Sequence, residues 1–318
     1  MTDKQKELKP LKEKESKEIG YYGSLFASVS FPAKTPKKRH WTRTNGRDTL
    51  IIRAGLAEKI RRKKIVRDAN GNPVFEELLV PAGIIPRHVM LYFSWVWTIR
   101  KNRGDQSKVI NLGNSLNEFL RRINAIDPVK GGNQYDLLLR QVHRLFNCEI
   151  GAIRELDKRF QRQKEKPILD GYEIWWSDID PDQKTILPST VTISDSLAAI
   201  LEVSIPLNLK TVQAIGRNVL AFDLYAWLTG RHYSITRPTP VSFKALHEQF
   251  GAEYAEVRDF KKKLKKAFTL IGSLYKHNSI LTDHGIELRR SKPDITPTNL
   301  SSEASRQFLI DMGINPPV

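Results

Sequence analysis

The stretch KVINLGNSLNEFLRRINAIDPVKGGNQYDLLLRQVHRLFN, residues 108–147, decides the fold of the first half of the chain. Its first apolar residues predict a short strand. Ser115, with Glu118 three residues later, has the pattern of a capping box, which predicts the start of a helix. The Pro and Gly residues of 124–132 predict a turn before a second helix. The sequence therefore predicts a helix-turn-helix.

The second of these helices is predicted to be amphipathic. Its apolar residues recur at helical spacing and are expected to face the core: Tyr135, Leu138, Leu139, Val142, Leu145 and Phe146. The opposite face carries candidate base-reading residues, because Arg can bind guanine and Asn or Gln can bind adenine in bidentate fashion. These candidates are Asn133, Gln134, Arg140, Gln141 and Arg144.

A similar arrangement recurs about a hundred residues later. A long helix is predicted over residues 209–229, followed by a strand near Val241, a short helix to Phe250 and a further helix from Glu253. A final hairpin is predicted within residues 279–288. We assign the basic residues of this unit mostly to phosphate contacts, with Arg258 as the base reader: Arg258, Lys261, Lys262, Lys265, Lys266, Arg289 and Arg290.

The charge of the chain points to a polyanionic partner. It has 52 Lys and Arg against 35 Asp and Glu, a formal net charge of +17. Residues 34–67 contain 13 Lys and Arg against Asp48 and Glu58. This clustering favours nucleic acid over an anionic membrane surface. The alternative is that each basic helix face is simply solvated, which is common for an isolated amphipathic helix.

Several other classes of protein are disfavoured by the sequence. The single Cys148 excludes an intramolecular disulfide framework and fits a reducing, cytoplasmic location. There is no P-loop motif for a nucleotide and no secretory signal, and the most apolar run is too short to span a membrane. We predict no catalytic residue, no metal and no cofactor. An acidic cluster of Asp178, Asp180 and Asp182 is interpreted as a solvated turn, with a divalent metal site as the alternative.

The predicted fold class is α+β, mostly helical, with two tandem winged-helix domains. The expected divisions are a flexible, disordered basic arm over residues 1–47, an N-terminal winged-helix domain over 48–182, a C-terminal one over 183–292 and a flexible tail over 293–318. A composition rich in charge, as in residues 1–18, cannot bury enough apolar surface to offset chain entropy.

Several motifs in order resemble the plasmid-encoded RepA family of replication initiators. The matching stretches are PAGIIPR from Pro81, INLGNSLNEFL from Ile110, QVHRLF from Gln141, LNLKTVQAIGRNVLAFDLYAWLTGR from Leu207 and KALHEQFGAEYAEVRDFKKK from Lys244. The resemblance covers about residues 49–290, and the quoted stretches lie within residues 81–263. The chain departs from the family pattern at PAG, where an aromatic residue before Gly is expected.

This resemblance implies a protein that binds double-stranded origin DNA at repeated sequences (iterons), opens the adjacent duplex and recruits the host replicative helicase and initiator proteins. It also implies repression of its own promoter, control of plasmid copy number and a homodimeric form. Two alternatives stay open: a stand-alone helix-turn-helix transcriptional repressor, and a metal-dependent nickase or primase that uses the acidic cluster.

Overall fold

A computed structural model describes residues 19–46, 48–61, 64–123, 132–156, 159–175, 180, 182–251, 253–292 and 294–295. Over these residues the chain is a mixed α/β protein with several small sheets. Its helices are α1 (Ser24–Ser28), α2 (Ile84–Asn102), α3 (Leu116–Arg122), α4 (Gly132–Phe146), α5 (Asp195–Leu201), α6 (Leu209–Ile215), α7 (Val219–Ser234), α8 (Phe243–Phe250) and α9 (Val257–Leu274).

The strands up to the middle of the chain are β1 (Ile19–Gly23), β2 (His40–Thr44), β3 (Asp48–Arg53), β4 (Leu56–Glu58), β5 (Ile60–Arg61), β6 (Lys64–Ile65), β7 (Phe75–Glu77), β8 (Val109–Gly113), β9 (Glu149–Leu156) and β10 (Arg159–Pro167). The later strands are β11 (Leu169–Glu173), β12 (Ser189–Ile193), β13 (Ser204–Asn208), β14 (Thr239–Ser242), β15 (Ile280–Leu281) and β16 (Gly285–Leu288). The three larger sheets have the strand orders β10-β9-β3-β2, β11-β12-β8 and β14-β16-β15.

The strand and helix predicted from the stretch 108–147 are present as β8 and α3. The Ser115 hydroxyl accepts a hydrogen bond from the backbone N–H of Glu118 at 3.2 Å. The Glu118 carboxylate reaches back to the N–H of Asn114 at 2.8 Å, one residue earlier than in the usual capping box. Gly113 has a φ of 104°, and a Cβ there would lie 2.9 Å from the Glu118 side chain. The prediction of this helix start is confirmed.

A buried ion pair joins the two long central helices. Arg87 of α2 is 0% exposed, and its Nε and Nη2 atoms donate to the two carboxylate oxygens of Asp223 in α7 at 2.6 and 2.7 Å. The same guanidinium donates to the carbonyl oxygens of Phe31 and Gly83, each at 2.6 Å. Every partner is a strong acceptor, which a desolvated guanidinium requires. The helices are thereby fixed within one continuous hydrophobic core.

The last third of the chain has the predicted element order, with a four-residue strand before two helices and a terminal hairpin. Strand β14 pairs with β16, which also pairs with β15. In the first half, the corresponding strand β8 pairs with β12 and not with the β9–β10 hairpin. That hairpin instead joins β3. The two halves therefore share an order of elements but differ in strand pairing.

Four predictions of chain organisation are corrected. The basic run RFQRQKEK, residues 159–166, predicts a loop between two strands, but it forms most of a strand, β10, that pairs with β9. The helix predicted over 209–229 is two helices, α6 and α7, separated at Gly216, whose φ of 61° disfavours continuation. The predicted domain boundary between residues 182 and 183 would divide one sheet, because it places β8 and β12 in different domains although the two strands are hydrogen-bonded to each other. The C-terminal tail begins later than expected, because Ile295 is buried and Asp294 accepts a hydrogen bond from Tyr225 at 2.6 Å.

The predicted disordered arm over residues 1–47 is wrong for residues 19–46. Residues 19–31 are largely apolar, and Tyr22, Phe26 and Phe31 are among the most buried side chains of the core. Burial of three large aromatic side chains is strongly favourable, so this segment packs in spite of the charged residues around it. Residues 1–18 and 296–318, and nearly all of the predicted turn 124–132, lie outside the described residues. No helix within the described ranges is long and apolar enough to cross a membrane.

Candidate nucleic-acid interface

Helix α9 separates an apolar face from a basic one. Phe260, Leu264, Phe268 and Ile271 are all buried, as the helical spacing predicts. The backbone N–H of Phe260 bonds to the carbonyl oxygen of Glu256, which closes the first turn. Since one stripe of the helix is fixed against the core, the remaining side chains are held at defined positions on the surface.

The predicted phosphate-binding residues of α9 do lie together on its exposed side. Arg258, Lys262, Lys265 and Lys266 are exposed, and the Arg258 side chain retains 81% of its accessible surface. Lys261 is half-buried, with its ammonium group 4.7 Å from the centre of the Phe243 ring. Three further lysines are exposed but are not among the predicted residues: Lys263 on α9, Lys244 on α8 and Lys292 after β16. Of these, Lys263 is indicated by the run of lysines in the sequence.

The turn that leads into α9 is tightly built. The N–H of Gly251 donates to the carbonyl oxygen of His247 at 2.7 Å, and the N–H of Tyr254 donates to the carbonyl oxygen of Gly251 at 2.8 Å. A Cβ at Gly251 would lie 2.6 Å from the His247 ring, so a larger residue would displace the turn. The turn therefore fixes the direction in which α9 leaves α8.

The two basic residues after the terminal hairpin are not equivalent. Arg289 is half-buried, and its Nε donates to the Glu287 carboxylate at 2.6 Å. Arg290 is exposed. Because an internal ion pair already satisfies the charge of Arg289, Arg290 is the better candidate for a phosphate contact.

On α4, the structure leaves only part of the predicted reading face accessible. Arg140 is exposed, and Arg144 is half-buried. Burial lowers the pKa of Arg144, and the charge of Arg140, four residues earlier on the same helix, lowers it further. The helix also exposes Leu137 to 55%, a candidate for contact with a thymine methyl group. The side chains of Asn133 and Gln134 lie outside the described residues.

Gln141 is a structural residue, which corrects its prediction as a base reader. It is 7% exposed, and its side-chain carbonyl accepts a hydrogen bond from the backbone N–H of Ala82 at 2.8 Å. This donor belongs to the segment before α2, where a buried N–H group would otherwise be unpaired. The position is next to Val142 and three residues after Leu138, both buried, so the edge of the apolar stripe includes it.

The acidic cluster is only partly described. Asp178 lies outside the described residues. Asp180 and Asp182 lie in an exposed turn, and the N–H of Asp182 donates to the Asp180 carboxylate at 3.2 Å.

Comparison with known proteins gives a family match for about half of the chain. The sequence profile of a family described as plasmid-encoded RepA protein matches residues 80–241, which contain α2 through α7. Helices α8 and α9 lie beyond the matched residues. No curated protein matches the chain.

Solved structures give weaker similarity. A crystal structure of selenomethionine derivatives of domains 2 and 3 of RctB is similar over 85% of this chain and 99% of that chain, with a TM-score of 0.47 and 11% identity. A second crystal structure of RctB domains 2 and 3 covers 83% and 94% of the two chains, with a TM-score of 0.43 and 12% identity.

Proposed function

The chain belongs to the plasmid-encoded RepA family of replication initiators, and from this premise we propose that it binds repeated origin sequences (iterons) in double-stranded DNA. In this proposal, binding opens the adjacent duplex, and the protein then recruits the host replicative helicase and initiator proteins. We further propose that the protein represses its own gene and forms a homodimer, because the resemblance to this family implies both. The protein acts by binding, without a catalytic step of its own.

The observation that carries the proposal is the exposed basic face of α9 beside a tightly built turn. A helix whose apolar stripe is anchored in the core can enter the major groove with its opposite side chains toward the bases and phosphates. Within α9 itself, Asp259 is the single carboxylate among these cations. We assign Arg258 to base recognition, and Lys262, Lys265 and Lys266 to phosphates, since Lys is a compact charge without a planar fork.

We propose a winged-helix unit over Val219–Leu288. Its order is helix, strand, two helices and a hairpin, and its sheet places β16 between β14 and β15. The second unit extends from α2 to β12 and presents Arg140 and Arg144 on α4. In it, the β9–β10 hairpin follows α4 in chain order, as a wing does, although it pairs with β3 and not with β8. Arg162, Lys164 and Lys166 lie exposed on β10. Two units on one chain suit a site longer than a single major-groove contact.

Replication of a plasmid that carries only this gene and its flanking DNA tests the proposal. The wild-type gene should maintain the plasmid, whereas Lys262→Ala/Lys265→Ala should not, because the same helix can then no longer bind two of its phosphates. Lys101→Ala/Lys184→Ala removes the same charge from exposed positions outside α4 and α9, and it should maintain the plasmid. Failure of the wild-type gene would favour a stand-alone repressor.

The enzymatic alternative has its own test. Purified protein is incubated with supercoiled plasmid DNA and Mg²⁺, with nucleotides added to detect primer synthesis. We expect neither nicked circles nor primers. Mg²⁺-dependent nicking or primer synthesis that disappears in Asp180→Ala would overturn the proposed mode of action.

A further inference from the structure

Residues 33–39, AKTPKKR, form a segment that touches both candidate DNA-binding units; we name it the basic strap. The backbone N–H of Ala33 donates to the Glu253 carboxylate, in the turn before α9, at 2.8 Å. Two residues later, the Thr35 hydroxyl accepts a hydrogen bond from Nη1 of Arg144 on α4 at 3.1 Å. The basic strap therefore connects the turn before α9 to the half-buried Arg144 of α4.

Buried polar contacts fix the N-terminal end of the strap. Arg43 is 4% exposed, and its guanidinium donates to Glu253 at 3.1 Å and to the Ser30 hydroxyl at 2.7 Å. Nearby, the Gln249 amide of α8 donates to the carbonyl oxygen of Ser28 at 2.7 Å. A desolvated ion pair with few alternative partners holds one geometry, because separation would leave a charge buried and unpaired.

The lysines of the strap are on its outer side. Lys34, Lys37 and Lys38 are exposed, and over the part of the chain that the structure describes none of them has an acidic partner. Arg39 differs from them, because it is paired with Glu77. Pro36 restricts the backbone between these lysines and so reduces the entropy cost of holding the segment against a ligand.

We propose that the basic strap is a third DNA contact, in which Lys34, Lys37 and Lys38 bind backbone phosphates next to the groove that α4 occupies. The inference rests on the proposed function, since it places the strap on the same duplex as the two helices. The connection to both units gives it a defined position on the duplex, unlike a solvated lysine run. Phosphate is the matching partner, because duplex DNA presents one charge about every 1.7 Å along its axis.

Salt dependence of binding to a random-sequence duplex of about 40 base pairs tests the strap without knowledge of the origin sequence. The slope of log affinity against log salt concentration has a magnitude of about 0.9 for each phosphate that the protein neutralises. Lys34→Ala/Lys37→Ala/Lys38→Ala should therefore flatten the slope by about 2.7 and weaken binding about 100-fold at about 0.15 M salt. The matched control, Lys101→Ala/Lys184→Ala/Lys276→Ala, removes three exposed charges elsewhere and should change the slope by less than about one.

A charge series at one position separates direct phosphate binding from a structural role. Lys37→Arg should bind like the wild type, Lys37→Ala more weakly and Lys37→Glu more weakly still, with unchanged thermal unfolding in each case. Equal slopes for the strap variant and its control, while Lys262→Ala still weakens binding, would overturn the strap but leave the proposed function intact. Absence of any salt-dependent binding by the wild type would overturn both.

Discussion

Replacement of Asp223 by Ala leaves the Arg87 guanidinium buried without its counterion. The substitution removes two charge-assisted hydrogen bonds, at 2.6 and 2.7 Å, and the guanidinium is 0% exposed, so water cannot replace them without an opening of the core. Removal of one partner from a buried ion pair costs about 3–5 kcal/mol. Natural domains are stable by about 5–15 kcal/mol, so Asp223→Ala should remove a large part of the free energy of unfolding.

Urea-induced unfolding measures this destabilisation as a lower midpoint. Glu202→Ala is the control, because it breaks the exposed Lys101–Glu202 pair, whose side chains retain 47% and 44% of their surface; it should cost at most about 1 kcal/mol. The double variant Arg87→Met/Asp223→Leu should be less destabilised than Asp223→Ala, since it buries no unpaired charge. If Asp223→Ala costs no more than Glu202→Ala, the coupling of α2 to α7 by this pair is refuted.

Three further predictions concern other residues. Arg258→Ala should reduce the preference for cognate over random DNA by about 1–3 kcal/mol, whereas Lys262→Ala should weaken both equally and flatten the salt slope by about one; indistinguishable effects in a binding titration would contradict this division. Gln141→Ala leaves the N–H of Ala82 unpaired and should cost about 1–3 kcal/mol in urea unfolding without altering DNA preference; the reverse result would restore it as a reader. Burial lowers the pKa of His232 in the folded protein to about 4. Below the ordinary histidine pKa of about 6.5, this residue is therefore protonated to a greater extent in the unfolded chain than in the folded one. Stability should therefore fall between about pH 6.5 and 4, and a fall just as steep in His232→Gln would exclude this residue as a cause.

Local patterns in the sequence are sufficient to predict the elements that carry the candidate interface. The capping residues Ser115 and Glu118, the buried stripe of α9 and the strand before α8 depend on neighbours within a few residues. The same is true of helix α2, since Pro86 suits a first helical turn and the apolar residues that follow it recur at helical spacing. Periodicity also predicts that Arg258 and Lys262 lie on the exposed side of α9, as the structure has them.

Features that depend on distant partners cannot be predicted in this way. Gln141 has the polarity of a DNA-reading residue, but its acceptor is used by Ala82, 59 residues earlier in the chain. The pairing of β8 with β12 leaves no local signal, because alternation of side chains is the same for any partner strand. The strap lysines fall within the arm that the sequence predicts to be disordered. Their order cannot be predicted locally, because it depends on the distant Glu253 and on the burial of the aromatic residues that precede the strap.

Protection of the DNA that flanks the gene is the most direct test of the central claim, that the chain binds repeated origin sequences through α4 and α9. Footprinting with wild-type protein should show several tandem protected repeats, and protection should weaken in Arg258→Ala at unchanged protein concentration. The absence of protected repeats, or a single protected operator at the promoter, would contradict the claim.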